Sequence, residues 1–344
     1  MIALTMKRIL IAACILLAVG AVTGWKYYKW IYHANTQEGM TNLILLPEGS
    51  GFTDVFQALS EQEILVHPKS FEWVAKRMHF NDQSVKAGRY FVQPGTSNYA
   101  LIQKLRLGEQ DAIDLVINSA HTLEDLAGII GKQLEVDSFT FLQYMRSDYL
   151  PESNYTQETI LSLFIPNTYE VWWNVRPDKL LARMESEHAR FWNAERKAAA
   201  ENLSMTSVEV YTLASIVESE TQARDERAAI AGVYHNRLNQ NIPLQADPTV
   251  RFALKDLSLR RIMHKHLEIE SPYNTYLHPG LPPGPIAMPT IHSIDAVLKP
   301  EKHDYIFFCA KPGNDGRHLF AKTLSGHLEN ARQYQAWLNE QGIR

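Results

Sequence analysis

The uncharged run from Ile9 to Trp25 constrains this chain most. Lys7 and Arg8 precede it, and Trp25, Tyr27, Tyr28 and Trp30 follow, interleaved with Lys26 and Lys29. The pattern reads as one membrane helix with an aromatic and cationic belt on its far side. The run is a little short against the ~20 residues a spanning helix needs. A signal peptide cleaved near Ala18-Val19-Gly20 is therefore the alternative. The belt favours an uncleaved anchor. The stretch "IAAC" (Ile11 to Cys14) is not an acylation box, because only Ile9 and Leu10 separate it from the charges and the apolar run continues beyond it. Positive charge before the segment places the bulk of the chain outside the cytoplasm, on a single-pass anchor in the cytoplasmic membrane.

The 344 residues leave room for two further domains, and 45% hydrophobic with 21% charged residues is ordinary globular composition. A net charge of -4 offers no basic excess for nucleic acid phosphates, so nucleic acid is excluded as a partner. Cys14 and Cys309 lie in different settings and predict neither a disulfide nor a CxxC metal site.

The expected segments are a cytoplasmic tip (1–8), the anchor (9–30), a polar linker (31–41), a small domain (42–109) and a larger domain (110–344). In the small domain the order is strand, helix, helix, strand, with a further helix appended. "LPEGSGFTDVFQAL" and "VQPGTSNYALIQKL" look like two versions of one strand-turn-helix unit. Beyond Asn118 longer helices dominate, including a charged one from Pro177 to about Ala200 and a closing one from Leu324. "DYIFFCAK" reads as a buried strand, and the Pro- and Gly-rich stretch from Pro272 to Pro289 as a rigid loop lining a site. Helices and strands without regular alternation predict an α+β fold.

The chemistry is sought in "LASIVESETQARDERAAIAGVYHNRL". Thr206 and Glu209 form a capping box, and Val210, Leu213, Ala214 and Val217 mark a buried stripe. Glu218 then falls roughly 90° to one side of that stripe and Glu220 roughly 70° to the other, so the two cannot face each other. On the next helix Arg227 shares the face of Ile230, Val233 and Tyr234, where a cation wants a carboxylate. The expected division gives Glu220 to Arg227 and leaves Glu218 desolvated and protonated, as a general acid requires. Two surface glutamates and an ordinary ion pair would fit the same spacing. The 13 histidines include no HExxH, "HKH" at His264 to His266 lies among charges, and no phosphate-cradling loop or GxSxG elbow is present. No metal or cofactor is expected.

"ASIVESET", "ER", "IAGVYHNRL", "LQADPTV", "YNTYLHPGLPPGPIAMP", "AVLKPEKHDYIFFCAK" and "HLFAKTLSGHLENARQY", in that order, resemble the YceG-like (MltG) endolytic murein transglycosylases. The resemblance implies an anchor, a LysM-like small domain and a catalytic domain. It also implies cleavage of the MurNAc-β-1,4-GlcNAc bond inside peptidoglycan strands, leaving 1,6-anhydroMurNAc ends. By the resemblance Glu218 is the catalytic acid. Gln245, Asp247, Thr249, Tyr273, Asn274 and Thr275 line the glycan groove, while Glu220, Arg227 and Asn236 support the site. Ala246 and Met288 depart from the family pattern and put one polar contact and one sugar subsite in doubt. Peptidoglycan strands and the membrane are the implied partners, together with a synthase that extends the strands. A hydrolytic muramidase and a noncatalytic peptidoglycan-binding scaffold are the competing readings.

Overall fold

The computed structural model describes residues 2–37, 39, 42–259, 261–313 and 315–342. Part of the expected linker, at residues 38, 40 and 41, lies outside them. The fold is mixed α+β, with three two-stranded sheets among the described residues. Contacts divide the chain into two units, residues 1–114 with 170–175, and residues 115–169 with 176–344.

In the first unit, helix α1 (Ile2–Tyr32) carries the apolar run. Its segment Met6–Tyr32 is long and apolar enough to cross a membrane, and none of its most apolar window is buried in the protein. Strand β1 (Asn42–Leu46) pairs antiparallel with β2 (Gly88–Val92), Asn42 opposite Val92. Helices α2 (Phe52–Glu61) and α3 (Pro68–Arg77) lie between the strands in sequence, and α4 (Asn98–Leu107) follows. Ile44, Leu46, Val55, Leu59, Phe71, Tyr90 and Ile102 build the core. The two strand-turn-helix units read from sequence share their turn chemistry. Gly49 and Gly95 both take positive φ, where a side chain would be strained. The Ser50 hydroxyl donates to Pro47 O and the Thr96 hydroxyl to Gln93 O, each at 2.7 Å.

The segment expected as a free linker is knitted into this unit. Asn35, 3% exposed, accepts from His67 N at 2.8 Å and donates to Asn98 Oδ1 at 2.7 Å. The Thr36 hydroxyl donates to Gln93 O and accepts from Thr96 N. Asn98 also donates to Trp30 O, and Tyr27 stacks on Trp73 with centroids 4.6 Å apart. Polar composition marked these residues as exposed, but their amide and hydroxyl groups satisfy buried backbone instead.

The second strand pair joins β3 (Ile113–Ile117) and β4 (Asn167–Val171). In the second unit, α5 (Leu123–Gly131) is opened by a Thr122–Asp125 capping box, and α6 (Ser138–Tyr144) by Asp137. The single helix expected from Pro177 is two, α7 (Pro177–Phe191) and α8 (Ala194–Asn202), because the Asn193 side chain caps a new start. Next come α9 (Ser207–Glu220), α10 (Arg227–Asn239), α11 (Asp247–Ala253), α12 (His264–Leu267) and α13 (Ile291–Leu298). Strands β5 (Phe307–Ala310) and β6 (His318–Ala321) form an antiparallel hairpin, half-buried rather than buried as expected, and α14 (Leu324–Glu340) closes the chain.

Helix α9 is the axis of this unit. Every residue from Val210 to Val217 is buried, because α8, α10, α11 and α13 all pack on it. The apolar stripe read from sequence is only one side of a helix that is interior all round.

Candidate active site

The burial of α9 on all sides sends its two C-terminal glutamates into separate polar settings. The capping box forms as expected, with Glu209 N donating to the Thr206 hydroxyl and Thr206 N to Glu209. At the other end, Glu218 Oε2 accepts from Thr290 N at 2.6 Å and from the Thr290 hydroxyl at 2.8 Å. Thr290 is the residue that opens α13. Arg227, 5% exposed, brings its Nη1 to 3.7 Å from the same Glu218 oxygen and donates to the Thr290 hydroxyl at 3.0 Å. Arg227 therefore pairs with Glu218, and the expected pairing with Glu220 is corrected. The deciding residue is Thr290, which no spacing along α9 and α10 reveals.

Glu220 faces the other way. Its Oε1 accepts from the Tyr234 hydroxyl at 2.6 Å. It lines a cavity of about 450 Å³ together with Arg237, Gln245, Asp247, Tyr276 and Phe307. Burial pushes its carboxyl up to about 7, and the charge of Asp247 adds to the rise, against the opposing Tyr234 hydrogen bond. Desolvation of this kind was expected at Glu218. Glu218 does not line the cavity.

The walls of the cavity are held firmly. Asp247 Oδ1 accepts from the Tyr276 hydroxyl at 2.6 Å. Arg237, 7% exposed, donates to Ile306 O and Leu244 O and reaches Gln245 Oε1 at 3.3 Å. Gln245 takes a positive φ of 50° and donates its N–H to Thr275 O. Asn236 donates to the carbonyls of His303 and Tyr305 and so fixes the segment leading to β5. Arg237, Tyr276 and Thr290 were not singled out by sequence reasoning, and Tyr234 was read only as part of a buried helix face, not as a partner of Glu220. Only the quoted "VYHNRL" and "YNTY" stretches, which contain three of them, signalled their presence.

The sequence profile of the YceG-like family matches residues 44–333. The chain belongs to the YceG-like family. It is 30% identical to an endolytic murein transglycosylase of Bacillus subtilis over 86% of each chain. It is 26% identical to one of Streptococcus pneumoniae over 95% of this chain and 65% of that protein. A crystal structure of a YceG-like protein from Listeria monocytogenes superposes with a TM-score of 0.53 at 28% identity, covering 84% of this chain and 99% of that one.

Not every residue that the YceG-like resemblance assigned to the groove can touch a ligand. Thr249 and Thr275, 0% and 1% exposed, bond to each other at 2.9 Å, and Thr249 also donates to Ala246 O. Asn274, 0% exposed, donates to Leu267 O and Ile269 O. These three are corrected to scaffold: their polar atoms hold the loop that presents Gln245, Asp247 and Tyr276. Tyr273 packs on Phe252 with centroids 4.7 Å apart and is not among the residues lining the cavity. Ala246 and Met288, the two departures from the family pattern, are both buried.

Proposed function

We propose that the protein is an endolytic peptidoglycan lytic transglycosylase in which Glu220, rather than Glu218, is the general acid. Its relatives' names give the reaction class, and the carrying observation for the residue is that Glu220 is the carboxyl in the cavity held up to about 7. A protonated Glu220 donates to the glycosidic oxygen as the MurNAc–GlcNAc bond breaks. The resulting carboxylate accepts the proton of the muramic C6 hydroxyl as that oxygen attacks C1 and closes the 1,6-anhydro ring. The proton returns to Glu220, no water enters, and one acid serves both steps. A second carboxylate to activate water is not needed, although Asp247 contributes charge that keeps the acid protonated. Tyr276 and Gln245 offer a hydroxyl and an amide to sugar hydroxyl and acetamido groups. Glu218, locked to Thr290 and Arg227, positions the end of α9 against α13.

In the same reading α1 anchors the protein in the cytoplasmic membrane with both folded units outside the cytoplasm. The β-α-α-β unit is LysM-like, and the substrate is newly made strand beside the synthase that extends it. The test is mass spectrometry of products from uncrosslinked strands incubated with the full chain in detergent, comparing wild type, Glu220→Gln and Glu218→Gln. Anhydro-ended internal fragments that vanish with Glu220→Gln and persist with Glu218→Gln are expected. Loss with Glu218→Gln alone would return the acid to Glu218. Hydrated ends would make the protein a muramidase, and intact strands with folded wild type would make it a binding scaffold.

A further inference from the structure

A second cleft, of about 690 Å³, opens beside the catalytic cavity, and the two share Asp247 and Tyr276 as lining residues. Its other wall carries Arg261, His264 and Lys265 with the exposed side chain of Met263. Arg261 and Lys265 are solvent-exposed and have no hydrogen-bond or ion-pair partner among the described residues. The one carboxylate lining the cleft, Asp247, already has an oxygen occupied by the Tyr276 hydroxyl. Two unpaired cations are thus displayed next to the place where a glycan strand is to be cut. Sugar hydroxyls and acetamido groups do not call for cations. The peptide branches of peptidoglycan carry free carboxylates, for which an arginine fork and a lysine are suited partners.

We infer that this cleft binds a carboxylate of the peptide branch on the strand being cut, making Arg261 and Lys265 determinants of which strands are accepted. The inference rests on the transglycosylase reading of the adjoining cavity. Contacts to a branch remote from the broken bond act equally on bound substrate and transition state, so they lower KM rather than raise kcat.

The experiment compares the full chain in detergent with Arg261→Gln/Lys265→Gln on two substrates: uncrosslinked strands bearing peptides, and the same strands stripped by an amidase. Both side chains are exposed, so the double variant folds, which its melting curve checks. On peptide-bearing strands KM should rise about fivefold, the scale of two exposed ion pairs, with kcat unchanged. Stripped strands should be cut alike by both proteins, and the difference should shrink in high salt. Equal loss on both substrates, or no loss on either, overturns the inference. A wild type that cuts neither removes the transglycosylase reading instead. In that case titration with free stem peptide still decides: binding that the double variant loses keeps the carboxylate site, and no binding removes it.

Discussion

Glu220 is held to about 7 against an ordinary 4.5, and in the role proposed for it one proton governs both activity and stability. Between those values the folded chain keeps a proton that the unfolded chain releases. Stability therefore falls as pH rises from about 4.5 to 7 and levels off above. Glu220→Gln should abolish that slope and raise stability at pH 8 by on the order of 1–3 kcal/mol, read from urea denaturation at several pH values. The same variant should lose roughly 100- to 10,000-fold in rate, the usual contribution of a general acid. In the wild type kcat/KM should decline above pH 7 with a single ionisation, the acid form being the active one. Glu218→Gln carries the opposite signature. It leaves buried Arg227 without its carboxylate and should cost about 1–3 kcal/mol, measured by thermal or urea unfolding, with the smaller effect on rate.

Among the elements, the Pro- and Gly-rich loop between α12 and α13 joins both glutamate settings: it supplies Tyr276 to the cavity of Glu220 and ends at Thr290 on Glu218. It is pinned along its length. Ile286 N donates to the Ser215 hydroxyl at 3.0 Å and Met288 N to Ala120 O at 2.8 Å. At Gly284 a Cβ would stand 2.1 Å from Glu158 O, a backbone atom that cannot yield. Gly284→Ala should displace the loop, destabilise the protein by about 1–3 kcal/mol and lower activity, seen as a reduced Tm with a raised KM. Composition had identified this loop as rigid, and capping residues had marked the start of α9. The partner of Arg227 was not legible. A wheel places side chains relative to one helix, whereas α9 is enclosed on all sides and its partner Thr290 comes from a loop 72 residues beyond Glu218. The same enclosure explains why Thr249, Asn274 and Thr275 looked like ligand contacts: their hydrogen-bonding groups are needed, but by backbone.

For the molecule as a whole, order along the chain was the most readable level: an apolar helix, a strand-helix-helix-strand unit, then a stretch dominated by helices with one late strand, whose hairpin partner β6 was not read. The boundary after α1 was misread because Asn35 and Thr36 have the composition of a linker and the burial of a core. A fragment starting at residue 36 should therefore melt below one starting at residue 26. The loss of Trp30, Ile31 and the buried Asn35 amide should cost its small unit roughly 2–4 kcal/mol in urea titrations. Equal midpoints would show the contacts to be incidental.

Those contacts also bear on reach. A helix that passes into a folded unit without a joint acts in a bilayer as a mast rather than a tether. In the anchored reading proposed above, the unit's height above the lipid is a fixed length, set by where the tryptophans of α1 rest, and not a distribution set by chain entropy. Lengthening α1 by one turn would lift the unit by about 5 Å, whereas adding flexible residues at Gln37 would leave its height unchanged, since the lock at Asn35 and Thr36 comes first.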